Sequence, residues 1–292
     1  MKTLGCIELW LLCMLCSGCC GPGLRPVHRA AFAGNKAEVE KLVSLGGNIN
    51  AKFAPECMKE PLTLLHSFAR RGDADMVSFL LSQGADPTIQ CGGNGTPLHT
   101  AAENNRTNVI KMLLDHGVNV DIGKGKTGTP LMFAAFKSKP EVVSLLIRRG
   151  ADVKARNKWK ESSLSFSMHY FLNQAPIEKA LQRPMSSAIR KAYEELLVSY
   201  DDFARTVRLL LQEGADVNAP DDLGYTPLMQ AVRAKPEIIQ MLLDAGADPT
   251  WKNKHGETAV TVAERMESYE IRDLLLAHIQ GVEKGSGKQP RR

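Results

Sequence analysis

"GTPLHTAAENNRTNVIKMLLDHGVNV", residues 95–120, reads as two short helices joined by a turn. Thr96 can cap a helix N-terminus, and Pro97 suits the first helical position, where its missing N–H costs nothing. Asn105 can end that helix in a left-handed conformation. Val109, Ile110, Leu113 and Leu114 then recur at helical spacing, and Gly117 closes the unit. Two further stretches share the pattern: "GTPLMFAAFKSKPEVVSLLIRRGADV", residues 128–153, and "YTPLMQAVRAKPEIIQMLLDAGADPT", residues 225–250. Closing glycines fall at Gly46, Gly84, Gly117, Gly150, Gly214 and Gly246, with spacings of 38, 33, 33, 64 and 32. That is one period of about 33 residues with two insertions.

The period, the "TPLH" start, the paired alanines and the Gly-Ala-Asp close resemble the ankyrin repeat over residues 24–279. The resemblance implies an all-α repeat solenoid of about seven helix–turn–helix units carrying β-hairpin fingers. The first unit begins near Leu24, in "LRPVHRAAFAG". The last, "GETAVTVAERMESYEIRDLLLAH", places Glu264, Arg265 and Glu270 at core positions, as a solvated cap requires. His28, His66 and His99 occupy the fourth position of "TPLH", where ankyrin repeats bond the ring to the threonine hydroxyl and nearby backbone. Met132 and Met229 replace it elsewhere, so the position asks for bulk more than for titration.

Two interruptions break the period. The fifth unit takes 52 residues from Ser162 to Gly214, so about 31 are inserted between its helices, over about 172–201. Ile189, Tyr193, Leu196, Leu197 and Tyr200 recur there at helical spacing behind Ser186 and Ser187. The segment is either a helical bracket packed on the solenoid or a docking arm. The 38-residue spacing reflects an extended first finger, "FAPECMKEPL", with Cys57, and the next finger carries Cys91. A Cys57–Cys91 disulfide is conceivable in an oxidising compartment, and two buried thiols are the alternative. "GKGKTG", residues 123–128, lacks the first glycine of a phosphate-binding loop and precedes "TPL", so it reads as a finger tip.

The N-terminus "LLCMLCSGCC", residues 11–20, invites a metal-cluster reading, but nothing around it would fix the ligand geometry. Lys2, the short apolar core from Leu9 to Cys16, and Ser17-Gly18 before Cys19 suit an export signal better. The order resembles a bacterial lipobox, which implies a signal peptide over 1–18, cleavage before Cys19 and lipidation of its sulfur. Cys16 stands where the lipobox usually has Leu, and Glu8 edges the apolar core. The formal net charge is +5, but Lys284, Lys288, Arg291 and Arg292 outweigh Glu283 in the basic tail of residues 280–292. About +2 remains for the rest, too little to argue for nucleic acid.

No paired carboxylates, nucleophile–base pair or metal-ligand spacing rises above the repeat pattern, so neither cofactor nor catalytic residue is expected. In ankyrin proteins the working surface is a groove lined by finger tips and by two positions at the end of each first helix. Those helix positions match Phe32 and Ala33, Arg70 and Arg71, Glu103 and Asn104, Phe136 and Lys137, His169 and Tyr170, Arg233 and Ala234. The fingers add Lys124, Lys126, Trp159, Lys160, Leu223 and Tyr225. Aromatics and arginines are hot-spot residue types, and the basic balance suggests an acidic or loop-rich protein partner. An ordinary solvated basic face is the plainer alternative. The expectation is a monomeric, non-enzymatic protein-interaction module held by lipid at a bacterial envelope, facing the periplasm. An inhibitor or immunity-type protein masking a toxic or secreted enzyme, and an enzyme with its site near His169, are the other classes.

Overall fold

The computed structural model describes residues 26–53, 61–171 and 199–285. Among them the chain forms seven helix pairs. They are α1 (Pro26–Phe32) with α2 (Lys36–Ser44), α3 (Leu64–Arg71) with α4 (Ala74–Ser82), and α5 (Pro97–Glu103) with α6 (Thr107–Asp115). Next come α7 (Pro130–Phe136) with α8 (Pro140–Arg148), and α9 (Ser163–Phe171) with α10 (Tyr200–Gln212). The last two are α11 (Pro227–Gln230) with α12 (Pro236–Asp244), and α13 (Ala259–Arg265) with α14 (Tyr269–Gly285). The period read from the sequence is therefore one helix pair per repeat.

Three of the first helices start on a buried threonine hydroxyl. Thr63, Thr129 and Thr226 accept the N–H of His66, Met132 and Met229 at 3.4–3.5 Å, satisfying a donor the helix cannot use. Pro97, Pro130 and Pro227 occupy the first turn. Three second helices start on Asn35, Asp73 and Ser199 in the same manner, while those after Arg106, Lys139 and Lys235 carry no side-chain cap bond. The six closing glycines have φ between +80° and +89°, a conformation in which a side chain would be strained.

The interior is built from ribs that repeat with the period. Leu98, Ala101 and Ala102 of α5 and Val109, Ile110 and Leu113 of α6 are fully buried, and Leu131, Ala134, Ala135, Val142, Val143 and Leu146 repeat the set one unit on. The alanines let first helices approach closely, while the branched residues fill the space behind. The final unit keeps Glu264, Arg265 and Glu270 in solvent, as a cap should.

The fingers depart from the hairpin expectation. Among the described residues they contain isolated antiparallel bridges, Phe53↔Leu62 and Arg156↔Ser162, and no strand. Phe53 and Leu62 exchange both backbone bonds, at 2.9 and 2.7 Å, which closes the base of the extended first finger. A side chain takes the N–H groups that a strand ladder would use, as described below. Residues 54–60 and 172–198, with Cys57 and most of the expected insertion, lie outside the described residues. Tyr200 and Asp201, placed at the end of that insertion by sequence, form the first turn of α10. There the Tyr200 hydroxyl donates to Glu237 at 3.2 Å, and the Lys235 ammonium sits 4.1 Å over its ring.

Candidate partner-binding face

Three finger tips are drawn by one device. Asn157 Oδ1 accepts the N–H groups of Trp159 and Glu161, both at 2.9 Å. Asp221 Oδ1 does the same for Leu223 and Tyr225, and Asn253 Oδ1 for His255 and Glu257, again at 2.9 Å. One side-chain oxygen thus satisfies two loop donors, a local turn that replaces the strand ladder. The residue two beyond the Asn or Asp is exposed: Trp159 to 46%, Leu223 to 54%.

Neighbouring tips are then tied together through backbone. Lys158 N–H donates to the Lys126 carbonyl at 2.9 Å, Asp222 N–H to Trp159 at 2.9 Å, and Lys254 N–H to Leu223 at 3.0 Å. The row of tips is held in register by this ladder. Trp251 joins it by donating its indole N–H to the Gly224 carbonyl at 3.2 Å. Between two tips lies an open cleft of about 370 Å³, lined by Trp159, Glu161, Asp221, Asp222 and Leu223.

A family model described as ankyrin repeats matches residues 27–123, 65–157 and 196–286. The chain belongs to the ankyrin-repeat family. The crystal structure of the Bcl-3 ankyrin domain superposes with a TM-score of 0.58 at 25% identity, covering 86% of this chain and 99% of that one. Among curated proteins, mouse 2-5A-dependent ribonuclease is 46% identical over 59 residues, which are 20% of this chain and 8% of that protein. Mouse protein phosphatase 1 regulatory subunit 12A is 32% identical over 119 residues, 39% of this chain and 11% of that protein. The chain thus spans a small part of these curated relatives, and its own ankyrin repeats make it a protein–protein interaction module.

The ankyrin grammar accounts for the histidines. His99 Nδ1 lies 2.9 Å from the Thr96 hydroxyl and 3.1 Å from its N–H, while Nε2 lies 3.0 Å from the Gly128 carbonyl. His66 repeats this with Thr63 at 2.8 Å and the Gly95 carbonyl at 3.1 Å. Burial pushes both rings down to about 4, against a smaller opposing pull from the backbone carbonyls. Each neutral ring therefore staples one finger to the next. Gly123 lies against this staple, and a Cβ there would sit 2.5 Å from the Gly128 carbonyl. The tip of 123–128 is a packed turn, tied to the next finger by Gly125 N–H to the Arg156 carbonyl at 3.1 Å.

The first-helix ends are more engaged than their spacing suggests. Arg71 donates to the Ala31 carbonyl at 2.6 Å, and Arg106 to that of Arg70 at 2.8 Å, so these guanidinium groups splice units together. Burial lowers the Arg70 guanidinium from its ordinary value, opposed by Glu103. Lys137 lies 3.6 Å from Glu103 and 5.7 Å from the Phe136 centroid. Phe136 packs on Phe166 of α9 at 5.9 Å, and Phe166 meets His169 at 6.3 Å. His169 in turn reaches Glu161 at 3.4 Å, so a continuous run joins Phe136 to the cleft.

Arg233 is exposed, on the 3₁₀ turn Ala231–Arg233, whereas Ala234 is buried. Tyr225 is a strut: its hydroxyl donates to Glu257 at 2.9 Å, and burial, then that bond, raises it above its ordinary value. Lys124 pairs with Asp152 at 2.8 Å and Lys160 with Asp222 at 3.8 Å. The side chains of Phe32 and Tyr170 lie outside the described ones. Cys91 is buried, and Cys19 and Cys57 lie outside the described residues.

Reading the sequence for aromatic and basic residues missed the carboxylates Glu161, Asp221 and Asp222. The signal was available: Asn157, Asp221 and Asn253 each stand four residues before Glu161, Tyr225 and Glu257.

Proposed function

We propose that this chain captures another protein on its finger tips and adjoining first-helix ends, acting as a single chain. The observation that carries it is the backbone-tied row of tips presenting Trp159 and Leu223, large apolar residues that the repeat packing leaves in solvent. Fixed, exposed aromatic and aliphatic side chains are what a binding surface needs to lower the entropy cost of association. Exposed Lys124 and Lys126 on the preceding tip, with Lys158 beside Trp159, favour an acidic stretch in the partner next to them. Residues 173–198 supply a second contact only if capture depends on them.

The test is affinity capture with the full-length chain, followed by titration of the recovered partner. Trp159→Ala and Leu223→Ala should each weaken binding by about tenfold or more at unchanged melting temperature. Wild-type binding by both, with capture lost only on deleting residues 173–198, would move the site to the insertion. We further propose that the chain is exported and anchored by lipid on Cys19, on the strength of the Leu9–Cys16 core and Ser17-Gly18. A fatty-acid probe should label the wild type and spare Cys19→Ala; equal labelling would refute the anchor.

A further inference from the structure

We propose that the cleft between the 151–162 and 215–226 fingers receives one cationic side chain, a lysine or arginine, from an extended segment of the partner. The inference deepens the proposed function and rests on it.

Three carboxylates and two apolar side chains line the cleft: Glu161, Asp221 and Asp222 with Trp159 and Leu223. Their charges are incompletely offset. Asp221 is held by uncharged donors, the N–H groups of Leu223 and Tyr225 at 2.9 Å and the Gln230 amide at 3.2 Å. Asp222 faces Lys160 at 3.8 Å, an exposed and poorly directed pair that a better-placed cation can replace. Glu161 accepts from the Asn157 amide at 2.7 Å and lies 3.4 Å from His169. An anionic ligand would meet three negative groups, and a purely apolar one would leave them desolvated.

A long cationic side chain answers both features, with an aliphatic stem for Trp159 and Leu223 and a charged head for the carboxylates. The molecule already sets a cation against this ring internally, since the Lys158 ammonium sits 4.3 Å over the Trp159 ring. The cleft is open to solvent, which suits a side chain of a docked segment better than a small molecule that must be mostly buried. The walls are also fixed before binding, because Asp222 N–H is bonded to the Trp159 carbonyl at 2.9 Å. An acidic residue of the same segment could then lie toward Lys124 and Lys126, which gives the segment a direction.

The probe is a random dodecapeptide library displayed on phage, selected on the full-length chain. Enriched peptides should share a lysine or arginine next to an apolar residue. The double variant Glu161→Gln/Asp222→Asn, which keeps size and hydrogen bonding, should bind them at least about tenfold more weakly at an unchanged melting temperature. Lys124→Ala/Lys126→Ala should leave the cationic anchor in place. Enrichment of peptides without a cation, or equal binding by the double variant, overturns the proposal. If such peptides still need Trp159 and Leu223, the proposed function survives while the cation cleft does not.

Discussion

Units three and six open alike and close differently. Thr96-Pro97-Leu98 and Thr226-Pro227-Leu228 cap their helices with the same hydroxyl and proline. In unit three the next residue is His99, which bonds to the following finger; in unit six it is Met229, a buried core residue with no such ring nitrogens. Helix α5 runs for seven residues before Asn105 turns it left-handed at φ +59°. Helix α11 runs for four and tightens into the 3₁₀ turn Ala231–Arg233. The cause is one missing residue: eleven positions separate Thr96 from Thr107, but ten separate Thr226 from Pro236. With no place for a left-handed residue, the chain leaves the helix through Ala234 at ψ 172° and Lys235 at ψ 154°, the extended region that a following proline favours. Caps decide where a repeat starts, while spacing and the fourth residue decide how it is joined to its neighbour.

The largest expected effect tests what the two units share. Leu113 and Leu242 hold the same place in their second helices, and both are fully buried. Truncation of either to Ala should cost about 2–5 kcal/mol in denaturant unfolding. A near-native value at one site only would mean that the two units are not packed alike.

Next comes the staple that they do not share. His66 and His99 are held near 4 by burial, against about 6.5 in an unfolded chain. Their neutral forms are favoured by folding, so this stability is complete above about pH 6.5. It is lost as pH falls from there through about 4, because the unfolded chain takes up the protons first. The span corresponds to at most about 3 kcal/mol per ring. His99→Met copies unit six and should flatten the pH dependence by about half, read as melting temperature between pH 7 and 4. An unchanged slope would place the pH dependence in other groups.

Fold and site were not equally legible. The ribs, caps and closing glycines recur, so six copies of one pattern reinforce each other in the sequence. Leu113 could be placed in the core because Leu146 and Leu242 repeat it. The face is read from positions that the repeat leaves free, where only local chemistry helps. Arg71 looked like a binding residue, but its reach to the Ala31 carbonyl depends on the neighbouring unit's path. Phe136 likewise leans on Phe166 of the next unit, so Phe136→Ala should lower stability as well as binding. Trp159 and Leu223 were legible because nothing in the pattern asks for bulk there. The cleft carboxylates were harder to read because acidic residues are ordinary on solvated loops, and Glu161 meets Asp221 and Asp222 only once two fingers are joined.

The smallest effect concerns the residue that unit six lacks. The position is filled by Gly72 in unit two, Asn105 in unit three, Ser138 in unit four and Glu267 in unit seven, all at positive φ. Only glycine takes this conformation without steric strain, and asparagine takes it more readily than other residues. Ser138 is the worst placed: φ is +47°, the side chain is fully buried, and its hydroxyl finds no hydrogen-bond partner among the described residues. Ser138→Gly removes both defects and should stabilise by about 1 kcal/mol, after the extra entropy that glycine loses on folding. Glu267→Gly relieves the strain alone and should give somewhat less. Asn105→Gly should fall within a few tenths of a kcal/mol of zero, because asparagine already tolerates the turn. The three are compared by denaturant midpoint at constant slope. If Asn105→Gly gains as much as Ser138→Gly, backbone strain is not what distinguishes these junctions, and the difference between units three and six lies in the histidine staple alone.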